Sequence, residues 1–197
     1  MKLLHGTSSS NAAHIMKSGL KPRRGAGNWY KKHQFPTNKQ FVFLARSAEA
    51  YEFHALRTAL IHNSLCTVLE VEVEEDNLYP DENLFPNLDK VVIYDRVMLE
   101  QYQQRAMAAK ELWKDSLEKL QTVAHRGPIE VGKIKVAMQY PIEKSIYYGF
   151  VKNYEEKDVD AFDLSLQAFL QSQQEGVWQH PKYKDFDMNA LEVIPIN

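Results

Sequence analysis

A single cysteine, Cys66, stands in a chain of 197 residues, so no intramolecular disulfide can form and no multi-cysteine metal site can be built. Long apolar runs are missing as well. No stretch approaches the length that spans a bilayer, and the N-terminus lacks the apolar core of a signal peptide. Neither sign of charge dominates: the formal net charge of −2 excludes a global basic field that would gather nucleic acid or a membrane surface. The seven histidines are scattered, and His5, His14, His54 and His62 lack the spacing to carboxylates that a metal site requires. The chain carries no internal repeat and no low-complexity tract. These absences point to a cytoplasmic protein without membrane partner or metal, and one cysteine agrees with a reducing compartment.

What is present is ordinary for a globular protein. Hydrophobic residues make up 44% and charged residues 25%, enough apolar material for a sizeable core. The length suits one domain, or one domain with an appended segment.

The informative stretch runs from Leu3 to Leu20. Leu3 and Leu4 form a short apolar run that delivers His5, Gly6 and Thr7, followed by the hydroxyls of Ser8, Ser9 and Ser10. Those hydroxyls can cap a helix with Ala12, Ile15 and Met16 on one face, which stops at Gly19, where a left-handed backbone is cheap. A strand, a polar turn and a helix would place His5, the Gly6 backbone and the hydroxyl of Thr7 or Ser8 at the mouth of a fold. Such groups hold the ribose and amide of a nucleotide, although a strand end and a helix cap use the same residue types.

From Leu20 to Gln40 the chain is rich in Gly, Pro and basic residues and has no carboxylate. It reads either as a solvated loop or as a lid. In a lid, Arg23 and Arg24 would meet phosphates and Trp29 and Tyr30 would cover a ring. Phe41 to Ala45 has strand length, and Ser47 can cap a helix carrying Tyr51, Ala55 and Ala59 along one side with Leu56 and Leu60 beside them. Asn63 and Ser64 end it. Thr67 to Glu74 alternates, with Leu69, Val71 and Val73 opposing Glu70, Glu72 and Glu74, as in a strand with one buried face. It empties into a turn holding the adjacent acids Asp81 and Glu82. Met98, Tyr102, Ala106, Ala109, Trp113, Leu117 and Leu120 predict one long helix packed by a single stripe. Val123 to Gly127 and Lys133 to Tyr140 read as strands around a turn at Gly127-Pro128. A helix is expected over Asp158 to Gln173, in a C-terminal stretch without an assignable motif.

The succession of His5-Gly6-Thr7, the basic loop, Phe43-Leu44-Ala45 and the Ser47-to-Tyr51 helix resembles the ADP-ribosyltransferase superfamily, whose members split NAD at the nicotinamide–ribose bond. The matching region runs from about Leu3 to Asn83. The resemblance implies an α+β fold with a split, mostly antiparallel β-sheet and a cleft, over residues 1–145. Residues 146–197 would then be a helical C-terminal extension packed on the same domain. It further implies NAD as co-substrate, with His5 on the adenosine ribose, the Gly6 backbone on the nicotinamide amide, and Thr7, Ser8, Arg23 and Arg24 around the dinucleotide. Ser47 would supply a hydroxyl to the amide, and Phe43 and Tyr51 would stack on the nicotinamide ring. Phe43 stands where many members have tyrosine, so stacking is kept and a phenolic hydrogen bond is lost.

The chemistry asks for these residue types. Nicotinamide leaves as a planar aromatic from an oxocarbenium-like centre, so the site must grip a flat ring and stabilise positive charge on the ribose. The small rifamycin-inactivating members place an aspartate after a Val- and Glu-rich strand, and Asp81 and Glu82 match that place. Polymerase-like members carry a glutamate on a later strand, near Gln121 to Val123 here, where no acid occurs, and Glu130 is the nearest substitute. The expected activity is NAD-dependent mono-ADP-ribosyl transfer to a protein, nucleic-acid or small-molecule acceptor, with nucleic acid not favoured by the near-neutral charge. RNA 2′-phosphotransferases are similar in His5-Gly6-Thr7 and Leu20-Lys21-Pro22, but carry a helical domain before that strand, whereas four residues precede His5. A third reading is a nucleotide-binding or interaction module that kept the fold and lost the acid.

Overall fold

The computed structural model describes residues 1–22, 38–91, 93, 95–145 and 147. Residues 23–37 of the expected basic lid, Arg23 and Arg24 among them, and all of the expected C-terminal extension but Tyr147 lie outside the described residues.

The described residues fold as an α+β structure on one six-stranded antiparallel sheet, with strands β1 (Lys2–Ser8), β2 (Phe41–Ala45), β3 (Cys66–Glu72), β4 (Leu78–Pro80), β5 (Thr122–Arg126) and β6 (Ile134–Tyr140) in the order β4-β5-β2-β1-β3-β6. Strand β1 (Lys2–Ser8) pairs along its whole length with β3 (Cys66–Glu72), from Lys2 opposite Glu72 to Ser8 opposite Cys66. On the wet side of β3, Glu70 draws in Lys2 and Lys135. The alternation holds at that end only: Thr67, Val68 and Leu69 are all buried, because helices cover both faces of the sheet there.

Helix α1 (Ser9–Ser18) starts where the sequence indicated. The Ser8 hydroxyl accepts the Asn11 N–H at 3.3 Å, and the helix stops at Gly19, whose φ of 77° disfavours a side chain. Ala12 is fully buried, with Ile15 and Met16 packed beside it. Leu20 then exchanges two backbone hydrogen bonds with Ile129, at 2.9 and 2.8 Å. On this face Leu3, Leu44, Leu69, Val71, Leu78, Leu117 and Val123 form the first core layer. Complete burial of each leucine contributes roughly 1.5–3 kcal/mol.

The second layer lies under helix α2 (Ala48–His62), which follows strand β2 (Phe41–Ala45) and ends on Asn63 in the left-handed region. Ala55, Leu56 and Ala59 pack there against Cys66, Val68 and Tyr140. Ser47 occupies the capping position, yet its hydroxyl makes no capping bond and is buried without a partner. Gly6 lets α2 approach β1: a Cβ there would collide with the Tyr51 backbone carbonyl.

Two expectations are corrected. The stripe from Met98 to Leu120 is not one helix: α4 (Arg96–Ala108) gives way at Ala109 (φ −107°, ψ 50°) to a tight turn over Lys110–Leu112, and α5 (Trp113–Lys119) follows. The halves answer to different neighbours. Arg105 of α4 pairs with Asp89 and covers the Phe85 ring of α3 (Leu84–Asp89), whereas Ser116 and Leu117 of α5 are buried against the sheet. Strands β5 (Thr122–Arg126) and β6 (Ile134–Tyr140) exist, but Gly127-Pro128 does not join them as a hairpin. β5 lies between β2 and the short β4 (Leu78–Pro80), while β6 pairs with β3 at the opposite end of the sheet. No helix among the described residues is long and apolar enough to cross a membrane.

Candidate active site

Strands β1 and β2 share one register pair, Leu4 opposite Ala45, and then diverge. The imidazole of His5 spans part of the gap, its Nδ1 lying 3.1 Å from the Phe43 carbonyl. A carbonyl can only accept, so Nδ1 carries the hydrogen of this bond and Nε2 of the neutral ring is an acceptor. The parting opens a cleft of about 330 Å³, within the range of small-ligand sites. His5, Gly6 and Thr7 of β1, Phe43 of β2 and Tyr51 of α2 line it, and so do Asp81, Glu82 and Thr122 from the ends of β4 and β5.

Asp81 is 5% exposed. Its Oδ1 accepts the backbone N–H and the side-chain amide of Asn83, both at 2.9 Å. Its own N–H donates to Ser116 Oγ (2.9 Å), whose hydroxyl donates to the Thr122 carbonyl (2.9 Å), so a fully buried serine of α5 ties the acid turn to β5. Burial raises the Asp81 carboxyl above its ordinary range, while Asn83 and Thr122 oppose the rise.

Glu82, also buried, is anchored from the opposite side. Its Oε2 accepts the Asn38 N–H at 3.1 Å and the Gln103 Nε2–H at 2.8 Å. Burial first, and then the charge of Asp81, push its carboxyl up to about 7. Two adjacent buried carboxyls resist ionising together, so the pair holds a proton up to near-neutral pH.

The cleft thus gathers seven of the residues singled out in the sequence: His5, Gly6, Thr7, Phe43, Tyr51, Asp81 and Glu82. Ser8, Ser47 and Glu130 are not among its lining. Ser8 is spent on capping α1, Ser47 is tucked at the start of α2, and Glu130 is exposed ahead of the turn Val131–Lys133. Arg23 and Arg24 lie outside the described residues.

Sequence reasoning missed the α1 wall. Asn11, His14 and Ser18 line the cleft together with Lys21 just beyond the helix. Their spacing of three and four, beside the apolar stripe of Ala12, Ile15 and Met16, was a readable signal. His54, one turn after Tyr51 on α2, belongs with them for the same reason. Thr122 carried no signal, since only the sheet order brings it there.

The arrangement opposes polar and aromatic walls to a buried acid pair, a combination suited to holding a flat polar ligand while positive charge develops near the carboxylates. Among the described residues no group of three or more His, Cys, Asp and Glu stands where it could hold a metal ion. Comparison with protein-family models, curated proteins and solved structures gave no match to this chain.

Proposed function

We propose that this cleft binds NAD and splits its nicotinamide–ribose bond, passing ADP-ribose to an acceptor, as the resemblance to ADP-ribosyltransferases implies. One observation carries the reading. Residues far apart in sequence, His5-Gly6-Thr7, Phe43, Tyr51 and the Asp81-Glu82 pair, line a single cleft where β1 and β2 part. The division of tasks follows from chemistry. His5, whose orientation is set by the Phe43 carbonyl, offers a ring nitrogen to a ribose hydroxyl. Tyr51 and Phe43 contribute aromatic surface for the nicotinamide ring. Asp81 and Glu82 supply negative charge to the ribosyl cation as the bond opens, an interaction made mainly in the transition state. Glu130, outside the cleft, takes no part.

Calorimetric titration with NAD and an assay of nicotinamide release test this together. His5→Ala should raise the NAD dissociation constant at least about tenfold, which is ~1.4 kcal/mol. Asp81→Asn or Glu82→Gln should slow nicotinamide release by about a hundredfold or more with little change in NAD affinity. Glu130→Gln should match the parent chain. An NAD isotherm unchanged by His5→Ala in a folded protein refutes the reading. Undiminished turnover in both Asp81→Asn and Glu82→Gln removes the acid pair from the chemistry.

A further inference from the structure

Glu82 faces two spaces. It lines the main cleft, and it also lines a second cavity of only about 10 Å³ bounded by Asn38, Phe41, Phe43, Gln103 and Ala106. That volume is about that of one water, too small among the described residues to admit a reactant. On the same side two donors, the Asn38 N–H and the Gln103 amide, converge on a single oxygen, Oε2. An oxygen that accepts two N–H bonds is the poorer place for a proton, because a third hydrogen would crowd donors already in position.

We propose that Gln103 of α4 is the positioning residue of the acid pair: together with the Asn38 N–H it pins Oε2 to the protein, which leaves Oε1 as the oxygen that takes up and gives off the proton. The proposal deepens the NAD reading, on which its consequence for turnover rests, but the placement of the proton stands on the geometry alone. It also gives α4 a task. The helix breaks at Ala109 and leans on α3, and this sets Gln103 behind the carboxyl of Glu82. Among the described residues, the ionisable groups that share the main cleft with Glu82 are Asp81, His5, His14, His54, Lys21 and Tyr51, and of these it is the charge of Asp81 that raises its carboxyl. In the small cavity Glu82 is the one ionisable side chain among the described residues.

The test is a carboxyl-carbon NMR titration of the full chain labelled with ¹³C-glutamate, with the Glu82 and Glu52 signals assigned through Glu82→Gln and Glu52→Gln. Gln103→Met keeps the side-chain length and removes the donor, and Gln103→Asn keeps the amide but shortens its reach. Loss of a donor to the charged form should raise the Glu82 midpoint by about half a unit or more in both variants. Glu52, buried elsewhere, should titrate as in the parent chain and serves as the internal control. The acid limb of nicotinamide release should move with the Glu82 midpoint while KM for NAD stays in place. A Glu82 midpoint unmoved in Gln103→Met overturns the proposal whatever the turnover. A midpoint that moves in a protein that turns over no NAD supports the placement and overturns the NAD reading instead.

Discussion

Glu52 offers the sharpest test of the packing. It is fully buried in α2, where Ser145 Oγ donates to its Oε2 at 3.0 Å. Its Oε1 lies beside the Tyr140 hydroxyl in a poorly aligned contact that falls short of a full hydrogen bond but still favours the charged form. Burial raises the carboxyl from an ordinary 4.5 to about 7, with the hydroxyls of Tyr140 and Ser145 opposing the rise. The folded state therefore binds the proton more tightly than the unfolded chain, and stability falls as pH rises from about 4.5 through about 7. A shift of this size corresponds to about 3 kcal/mol at pH 8, at about 1.4 kcal/mol per unit. Glu52→Gln removes the charge, keeps an oxygen for Ser145 and brings an N–H₂ towards Tyr140. Urea unfolding followed by tryptophan fluorescence should show the variant near parity at pH 5 and stabilised by about 2–3 kcal/mol at pH 8. Both proteins should keep the pH dependence contributed by Asp81 and Glu82, whose carboxyls are also raised, so the part due to Glu52 is the difference between the two profiles. If Glu52→Gln is less stable by the same amount at both pH values, the charge is not the source of the cost and the reasoning fails.

Other consequences are direct. Gly6→Ala should destabilise the fold by about 1–3 kcal/mol in the same urea assay, because the new Cβ meets the Tyr51 backbone carbonyl rather than a flexible side chain. Ser116→Ala orphans the Asp81 N–H and should cost about 1–3 kcal/mol in unfolding experiments. Since Tyr51 is 4% exposed and packed in the core under α2, Tyr51→Ala confounds stacking with stability. Tyr51→Phe is the readable change, and NAD affinity in calorimetry should be nearly unaltered if the ring alone matters.

Local chemistry made much of this protein legible in its sequence. The Ser8 cap, the Gly19 stop, the apolar Phe41–Ala45 strand and the Asn63 terminus each follow from one residue's backbone preference or from a short period, and each stands where expected. His5, Tyr51 and the Asp81-Glu82 pair could be singled out because their types and order carry the resemblance. Three features could only be decided by tertiary structure. The break at Ala109 has no local cause, because nothing between Met107 and Leu112 opposes a helix, and only the demand that α4 meet α3 while α5 meets the sheet bends the chain there. The separation of β5 from β6 depends on which strand each finds across the sheet, a long-range choice that Gly127-Pro128 does not encode. The fate of the acids was decided the same way. Asp81, Glu82 and Glu130 are equivalent as letters, but β4 pairing with β5 carries the first two into the cleft under Ser116, Asn38 and Gln103 and leaves Glu130 in solvent. Sequence neighbours alone do not determine a carboxylate's role: Asn83 donates to Asp81 from two residues away, but the desolvation of both acids and the donors to Glu82 come from elements distant in the chain.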